Sequence, residues 1–356
     1  MSQDLDQVKL QAFGGQALDI LNKGAVAVMM SLGHRTGLFD VMADLPPANV
    51  QAIAKAAGLN ERYVREWLGA MVTGKVVEHD AQAGTFWLPR EHAAFLTRAA
   101  QTNNIASFAQ LVPLISLVED DIVTCFRAGG GVPYSAFKRF PEVMRELSAP
   151  TVETLLVQKI LPLHPGLVDS LTRGIDVLEV GCGSGHAVNV MAKAFPASRF
   201  VGYDLLPAQI EAGIAEATEW GLVNAHFEVR DVATLPQKDH FELITAFDTV
   251  HDQAQPAALL NQIAAALKKG GTFLMWDIGA SSDLHNNRNH LLGSFLYGVS
   301  CMHCMTVSLA QKGEGLGAMW GREKAEAMLA TAGLVVTAVR QIDEDPMNCC
   351  FLSTKP

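Results

Sequence analysis

The chain has 356 residues, is 49% hydrophobic and carries a formal net charge of −10, which is room for more than one buried core and a poor match to a polyanionic partner such as nucleic acid. The opening MSQDLDQVKL is polar and acidic and lacks the basic-then-apolar order of a secretory signal. Six cysteines without disulfide-framework spacing fit a reducing, cytoplasmic setting.

In chain order, the apolar GAVAVMMSLG (24–33) reads as a helix buried between domains or between subunits. A helix over Ala48–Ala57 meets a turn at Gly58-Leu59-Asn60, and a second helix runs to about Thr73 and stops at Gly74. VVEH, a turn at Asp80–Gly84 and TFWL then make a short hairpin, so the segment is a helix-turn-helix with a wing. A DNA reader needs a basic recognition helix. Here Glu61-Arg62-Tyr63-Val64-Arg65-Glu66 has two acids against two bases, and residues 1–100 hold nine Lys+Arg against ten Asp+Glu.

IASFAQLVPLISLV (105–118) is a further buried helical stretch. After it, VEDDIVTCFRAGGGVPYSAFKRF (118–140) turns at Gly129-Gly130-Gly131 and carries Tyr134 and Phe137. It is either an ordinary interdomain loop or a lid over a substrate.

VLEVGCGSG (177–185) runs a strand through Glu179 into Gly181, Gly183 and Gly185, with His186 where a dinucleotide loop has its last glycine. Glycines at this spacing let the chain turn tightly and bring a helix N-terminus up to a ligand. RFVGYD (199–204) ends a second strand on Asp204, where a carboxylate can take both ribose hydroxyls. FEVRDV (227–232) ends a third on Asp231, placed for an adenine amino group. FELITAFDTVHD (241–252) and TFLMWDIG (272–279) are two more strands, separated by a helix from Pro256 to Lys269 that stops at Gly270-Gly271. Alternating strands and helices give a doubly wound α/β sheet with its ligand at the carboxyl edge.

These residues resemble the class I S-adenosylmethionine-dependent methyltransferases, a Rossmann-like fold. The resemblance implies that Glu179, Gly181, Gly183 and Gly185 hold the methionine part and ribose, Asp204 the ribose and Asp231 the adenine, with Leu205, Val232 and Phe247 lining the same cleft. A helix at about 321–332 followed by LVVTAVRQI (334–342) and MNCCFLSTK (347–355) resembles the terminal antiparallel hairpin of that fold. GLFDVMADLPPANVQAIAKAAGLNERYVREWL is similar to the winged-helix dimerisation domain of small-molecule methyltransferases, which implies a homodimer.

TVHDQ resembles plant-type O-methyltransferases, whose His-Asp pair ends strand four; this implies His251 as general base beside Asp252, and Gln253 departs from the usual tryptophan. A histidine with an ordinary pKa of roughly 6.5 suits proton abstraction near neutrality. The alternative for His251 is a structural role, capping the following helix or orienting the loop. Over nearly the whole length the chain is similar to bacterial methyltransferases with an N-terminal winged helix that are often labelled transcriptional regulators.

LLGSFLYGVSCMHCMTVSLA (291–310) has twenty residues without Asp, Glu, Lys or Arg, long enough for a membrane span. Lying between the last parallel strand and the hairpin, it reads instead as a pocket wall, with His303, Cys304 and Trp320 beside Tyr134 and Phe137. Cys301-Met302-His303-Cys304 is one isolated CxxC, and no metal is expected there. The expected layout is a winged-helix domain over 1–100, a helical connector and lid over 101–170 and a methyltransferase domain over 171–356. The expected reaction is methyl transfer from S-adenosylmethionine to a hydroxyl or thiol of a small, largely apolar molecule. Metalloid or N-methylation, and a ligand-sensing regulator, are the alternatives.

Overall fold

The computed structural model describes residues 5–235 and 237–356, which divide into two compact units, 1–114 and 115–356. In the first, α1 (Gln7–Arg35) starts on Asp6, whose carboxylate accepts from the amides of Val8 and Lys9. After α2 (Leu38–Asp44), α3 (Val50–Ala57) and α4 (Glu61–Thr73) are capped by Asn49 and Asn60, and α3 ends on Gly58 at φ 65°. The wing is β1 (Glu78–Asp80) paired antiparallel with β2 (Thr85–Trp87), closed by Asp80 accepting from Gln82 and Ala83 amides. Trp67 on α4 donates to Met29 O at 2.8 Å and meets Phe39 edge-on. Gly33 permits that crossing, since a Cβ there would lie 2.6 Å from the Trp67 ring. The unit closes with α5 (Arg90–Leu96) and α6 (Ile105–Phe108), and α7 (Leu111–Ser116) leads out of it.

The second unit opens with α8 (Glu119–Ala128) and α9 (Phe140–Thr151), which runs on into a π-helical stretch over Val152–Ile160, and then α10 (Leu167–Arg173). Its seven-stranded sheet comprises β3 (Asp176–Val180), β4 (Arg199–Asp204), β5 (Ala225–Val229), β6 (Phe241–Phe247), β7 (Leu267–Ile278), β8 (Val335–Ile342) and β9 (Asp345–Thr354). The order is β5-β4-β3-β6-β7-β9-β8, parallel from β5 to β7 and antiparallel at β9 and β8. Helices α11 (His186–Ala194), α12 (Pro207–Glu219), α13 (Pro256–Ala266) and α16 (Arg322–Thr331) connect the strands. Between β7 and α16 stand α14 (Gly293–Val299) and α15 (Met305–Ala310), joined by a π-helical turn over Ser300–Cys304. Two apolar cores cover the sheet, one around Leu178, Ile244 and Phe273, the other around Val177, Leu243 and Leu274; alternate residues of the same strands go to opposite faces.

Of the boundaries that differ from the sequence reading, three have a clear local reason. The helix expected to reach Lys269 ends at Ala266. Leu267 is already extended, fully buried and paired with Phe241, and the chain bulges through Gly270 at φ 75° before pairing resumes at Thr272 with Leu243. The strand expected to reach Val232 ends at Val229, because Asp231 Oδ1 accepts from Ala233 N and folds the chain into a turn. The run 241–252 is a strand only to Phe247; Asp248 takes φ 48° and Val250–Asp252 is a 3₁₀ turn. Among the described residues no helix is long and apolar enough to cross a membrane.

Candidate functional site

The glycine loop leaves β3 with Gly181, Gly183 and Gly185 at φ 67°, 53° and 71°, a left-handed run that side chains resist. A Cβ on Gly181 would sit 2.4 Å from Thr249, and one on Gly185 2.2 Å from the Phe227 ring. Gly183 is different: nothing lies within 4 Å of where its Cβ would be. Asp204 ties the loop to the end of β4, Oδ2 accepting from Gly183 N at 3.0 Å and Oδ1 from Leu206 N at 2.9 Å. The next residue, Leu205, is left 61% exposed. His186 is bound to Glu216 of α12 at 2.9 Å, which fixes the start of α11.

Glu179 is buried at the end of β3, and its Oε2 has no hydrogen-bond partner among the described residues. Burial, with Asp204 nearby, pushes its pKa up to about 8. Asp231 is exposed in its turn past β5, while Val232 beside it is buried in one core and Phe247 packs against the other.

Beyond Asp248 the 3₁₀ turn presents His251, buried like its surroundings. His251 Nδ1 donates to Asp277 Oδ1 at 2.8 Å. The same oxygen accepts from Trp320 Nε1 at 3.1 Å and Ile278 N at 2.8 Å, so three donors fix the carboxylate. Trp320 is thus packed beneath the histidine within the core. Burial by itself lowers the pKa of His251, but Asp277 and Asp252 outweigh it and raise the pKa well above the ordinary histidine value. Asp248, whose amide donates to Trp276 O, is pushed strongly upward by burial and by Asp277. Asp248 and Asp277 were not singled out from the sequence, although an acid in the apolar run TFLMWDIG is a readable cue that a partner must exist for it.

The segment after Gly129-Gly130-Gly131 docks onto α15. Val132 N donates to Thr306 Oγ1 at 2.8 Å, and a Cβ on Gly131 would lie 2.0 Å from Thr306 O. This docking brings Tyr134 and Phe137 to His303, which stacks on Phe140 at 3.5 Å and 11°. Burial lowers the pKa of His303 to about 4, so the ring is neutral, and neither nitrogen has a partner among the described residues. Burial raises the pKa of the Tyr134 hydroxyl, and Asp252 and Asp204 both add to the rise; Tyr134 therefore stands within electrostatic reach of both the glycine-loop side and the histidine side. Cys304 is buried, within hydrogen-bond reach of His251 and Asp252, its pKa pushed up by burial to about 12. A cavity of about 530 Å³ at the amino end of the strands, lined by His164, Arg173, Lys268 and Lys269, brings together none of these groups.

Comparison with known proteins gives two family matches: an Rv2258c-like winged HTH domain over residues 24–98 and a methyltransferase domain over residues 171–333. The chain is similar to an uncharacterized methyltransferase, YcgJ, of Bacillus subtilis, at 30% identity over 118 residues, 32% of this chain and 46% of that protein. It is also similar to a ubiquinone biosynthesis O-methyltransferase of Paracidovorax citrulli, at 27% identity over 32% of this chain and 49% of that one. The chain thus spans about half the length of these curated relatives. Its fold is shared with human N-acetylserotonin methyltransferase, solved with its cofactor, at a TM-score of 0.70 and 16% identity over 100% of this chain and 99% of that one. The mitomycin 7-O-methyltransferase MmcR matches at a TM-score of 0.70 and 17% identity, over 98% and 99% of the two chains.

Proposed function

We propose that the chain, which joins a winged helix-turn-helix domain to a methyltransferase domain, is an S-adenosylmethionine-dependent methyltransferase that acts on a hydroxyl group of a small, largely apolar molecule. The observation that carries the choice of hydroxyl is the buried Asp277–His251 pair at the carboxyl edge of the sheet. A thiol, with a pKa near ~8.5, ionises without much help, whereas a hydroxyl needs a base held in place. The mitomycin 7-O-methyltransferase that shares the fold supports the same reading.

The residues at the glycine loop fit the cofactor. Gly183 leaves open the space a side chain would fill, Glu179 keeps a bare buried oxygen, and each Asp204 oxygen accepts one amide and retains a further lone pair for a ribose hydroxyl. Asp231 and Leu205 are exposed beyond them, toward the adenine position. When bound, S-adenosylmethionine supplies a methyl group on a sulfonium, and the protein's work is to hold the acceptor oxygen in line with it. Tyr134, Phe137 and the neutral His303 give that acceptor an apolar wall with two bare ring nitrogens. His251 takes the hydroxyl proton on Nε2, and Asp277 on Nδ1 keeps the ring oriented and stabilises its charge.

The front unit acts as an architectural module. Arg62 pairs with Glu66 and Arg65 with Glu61 on the same helix, which leaves little charge for phosphate. A second copy is its proposed partner, because Val8, Leu10, Phe13, Leu18, Ile20 and Leu21 on α1 are all at least 49% exposed. Six free cysteines support a reducing cytoplasm.

His251→Ala should lower turnover on a hydroxyl acceptor by roughly 10²–10⁴-fold while cofactor affinity holds, as read by steady-state kinetics and calorimetry. Only the unprotonated ring is a base, and its pKa is raised. Activity should therefore climb with pH along a limb above the ordinary histidine range, and Asp252→Asn should move that limb to lower pH. Normal turnover of His251→Ala at neutral pH would exclude the base role.

A further inference from the structure

Around Nε2 of His251 stands a set of donors that proton abstraction does not require. Asp252 and Cys304 each offer one atom there, and the three donors lie within 4.8 Å of one another. His251 Nε2 and Asp252 Oδ1 are 3.4 Å apart. That is long for a charge-assisted hydrogen bond of about 2.7–2.9 Å. It does equal the edge, roughly 3.3–3.4 Å, of a tetrahedron whose centre bonds nitrogen and oxygen at about 2.0–2.1 Å.

The surroundings favour a cation. Asp252 Oδ1, Asp248 Oδ1 and Asp277 Oδ2 are all buried without a hydrogen-bond partner among the described residues. Behind the ring, Asp277 holds Nδ1, the carboxylate–histidine arrangement that orients metal-binding imidazoles. Cys304 reaches the same point from the π-helical turn Ser300–Cys304. We propose that His251 Nε2, Asp252 Oδ1 and Cys304 Sγ form a site for a thiophilic divalent cation of the zinc class, with its fourth position toward the acceptor. Nitrogen, carboxylate and thiolate together suit such an ion, whereas magnesium and calcium take oxygen ligands. On binding, the metal–sulfur bond replaces the Cys304 S–H bond and the metal–nitrogen bond replaces the Nε2–H bond of the protonated His251 ring; both protons leave to solvent and no electron is transferred.

The consequence for activity rests on the reading of His251 as base. A cation on Nε2 occupies the lone pair that would accept the hydroxyl proton, so the loaded enzyme is reversibly inhibited.

The test is a titration of the full-length protein with Co²⁺ alone, a spectroscopic stand-in for zinc. Equimolar binding with a thiolate-to-cobalt charge-transfer band is expected. Cys304→Ser should abolish the band, Asp252→Asn should weaken binding at least tenfold, and Cys301→Ser should leave both unchanged, circular dichroism confirming that each variant is folded. Absence of equimolar binding in the parent protein, or a band that survives Cys304→Ser, overturns the site. Zn²⁺ should then suppress methyl transfer and a chelator restore it. Cobalt bound as described with undiminished methyl transfer would keep the cation site and reject His251 as base, while an inactive His251→Ala in a protein that binds no cobalt would do the reverse.

Discussion

At the scale of single residues, the site depends on carboxyl groups placed where water cannot reach them. Glu179 is 3% exposed, with its pKa raised from 4.5 to about 8. Between those two values the folded chain binds a proton at Glu179 that the unfolded chain has released, so the contribution of this group to stability is fully present below 4.5 and is lost as pH rises through 8. Glu179→Gln should flatten this dependence, which thermal unfolding of the ligand-free protein from pH 5 to 9 would reveal. An ammonium group brought to the bare Oε2 favours the carboxylate and expels the proton. Cofactor binding near pH 7 should therefore release a proton in the parent protein and not in Glu179→Gln, measurable by calorimetry in buffers of different ionisation enthalpy. His251 shifts upward for the opposite reason, its neighbours' negative charge outweighing burial.

At the scale of elements, the chain brings two loops against one another through glycine. Gly181 lies against Thr249, so the glycine loop and the turn carrying His251 share a contact. Gly131 lies against the backbone of α15, where the nearest atoms are Thr306 O and Ala310 N at 2.0 and 2.4 Å from an added Cβ. Backbone cannot yield as a side-chain tip does. Gly131→Ala should undock the segment, cost about 1–3 kcal/mol of stability, and release Tyr134 and Phe137 from His303. The measurements are denaturant unfolding and the acceptor KM; an unchanged KM would mean that the segment is an ordinary connector and not a wall of the pocket. The π-helical turn over 300–304 belongs to the same description, since such turns are common where a helix lines a functional site.

For the molecule as a whole, the proposed partner is a second copy seated on the apolar length of α1. Charged replacements such as Phe13→Glu with Leu21→Glu should shift the protein from dimer to monomer in light scattering, with the fold of each unit retained because these side chains are already exposed. A parent protein monomeric at micromolar concentration would refute the pairing. In fluorescence anisotropy, neither form should bind duplex DNA at physiological salt, given the paired arginines of α4.

Much of this was written in local patterns. Residues 176–180, 199–204 and 241–247 announced themselves as buried parallel strands by apolar runs, the glycine loop by spacing, and the wing by its Asp80–Gly84 turn, because periodicity and turn chemistry are properties of a few neighbouring residues. The pair His251-Asp252 was singled out differently, by its place after a strand and by its resemblance to the plant-type O-methyltransferases. What the sequence could not determine is who meets whom across the fold: Asp277 lies 26 residues from His251, Trp320 lies 43 from Asp277, and Thr306 lies 174 from Val132. Those contacts depend on which strands are neighbours in the sheet and on how the segment after the glycines docks. The pKa values of Glu179, His251 and His303 depend on the same tertiary burial, since desolvation and nearby charge exist only once the chain has closed around them.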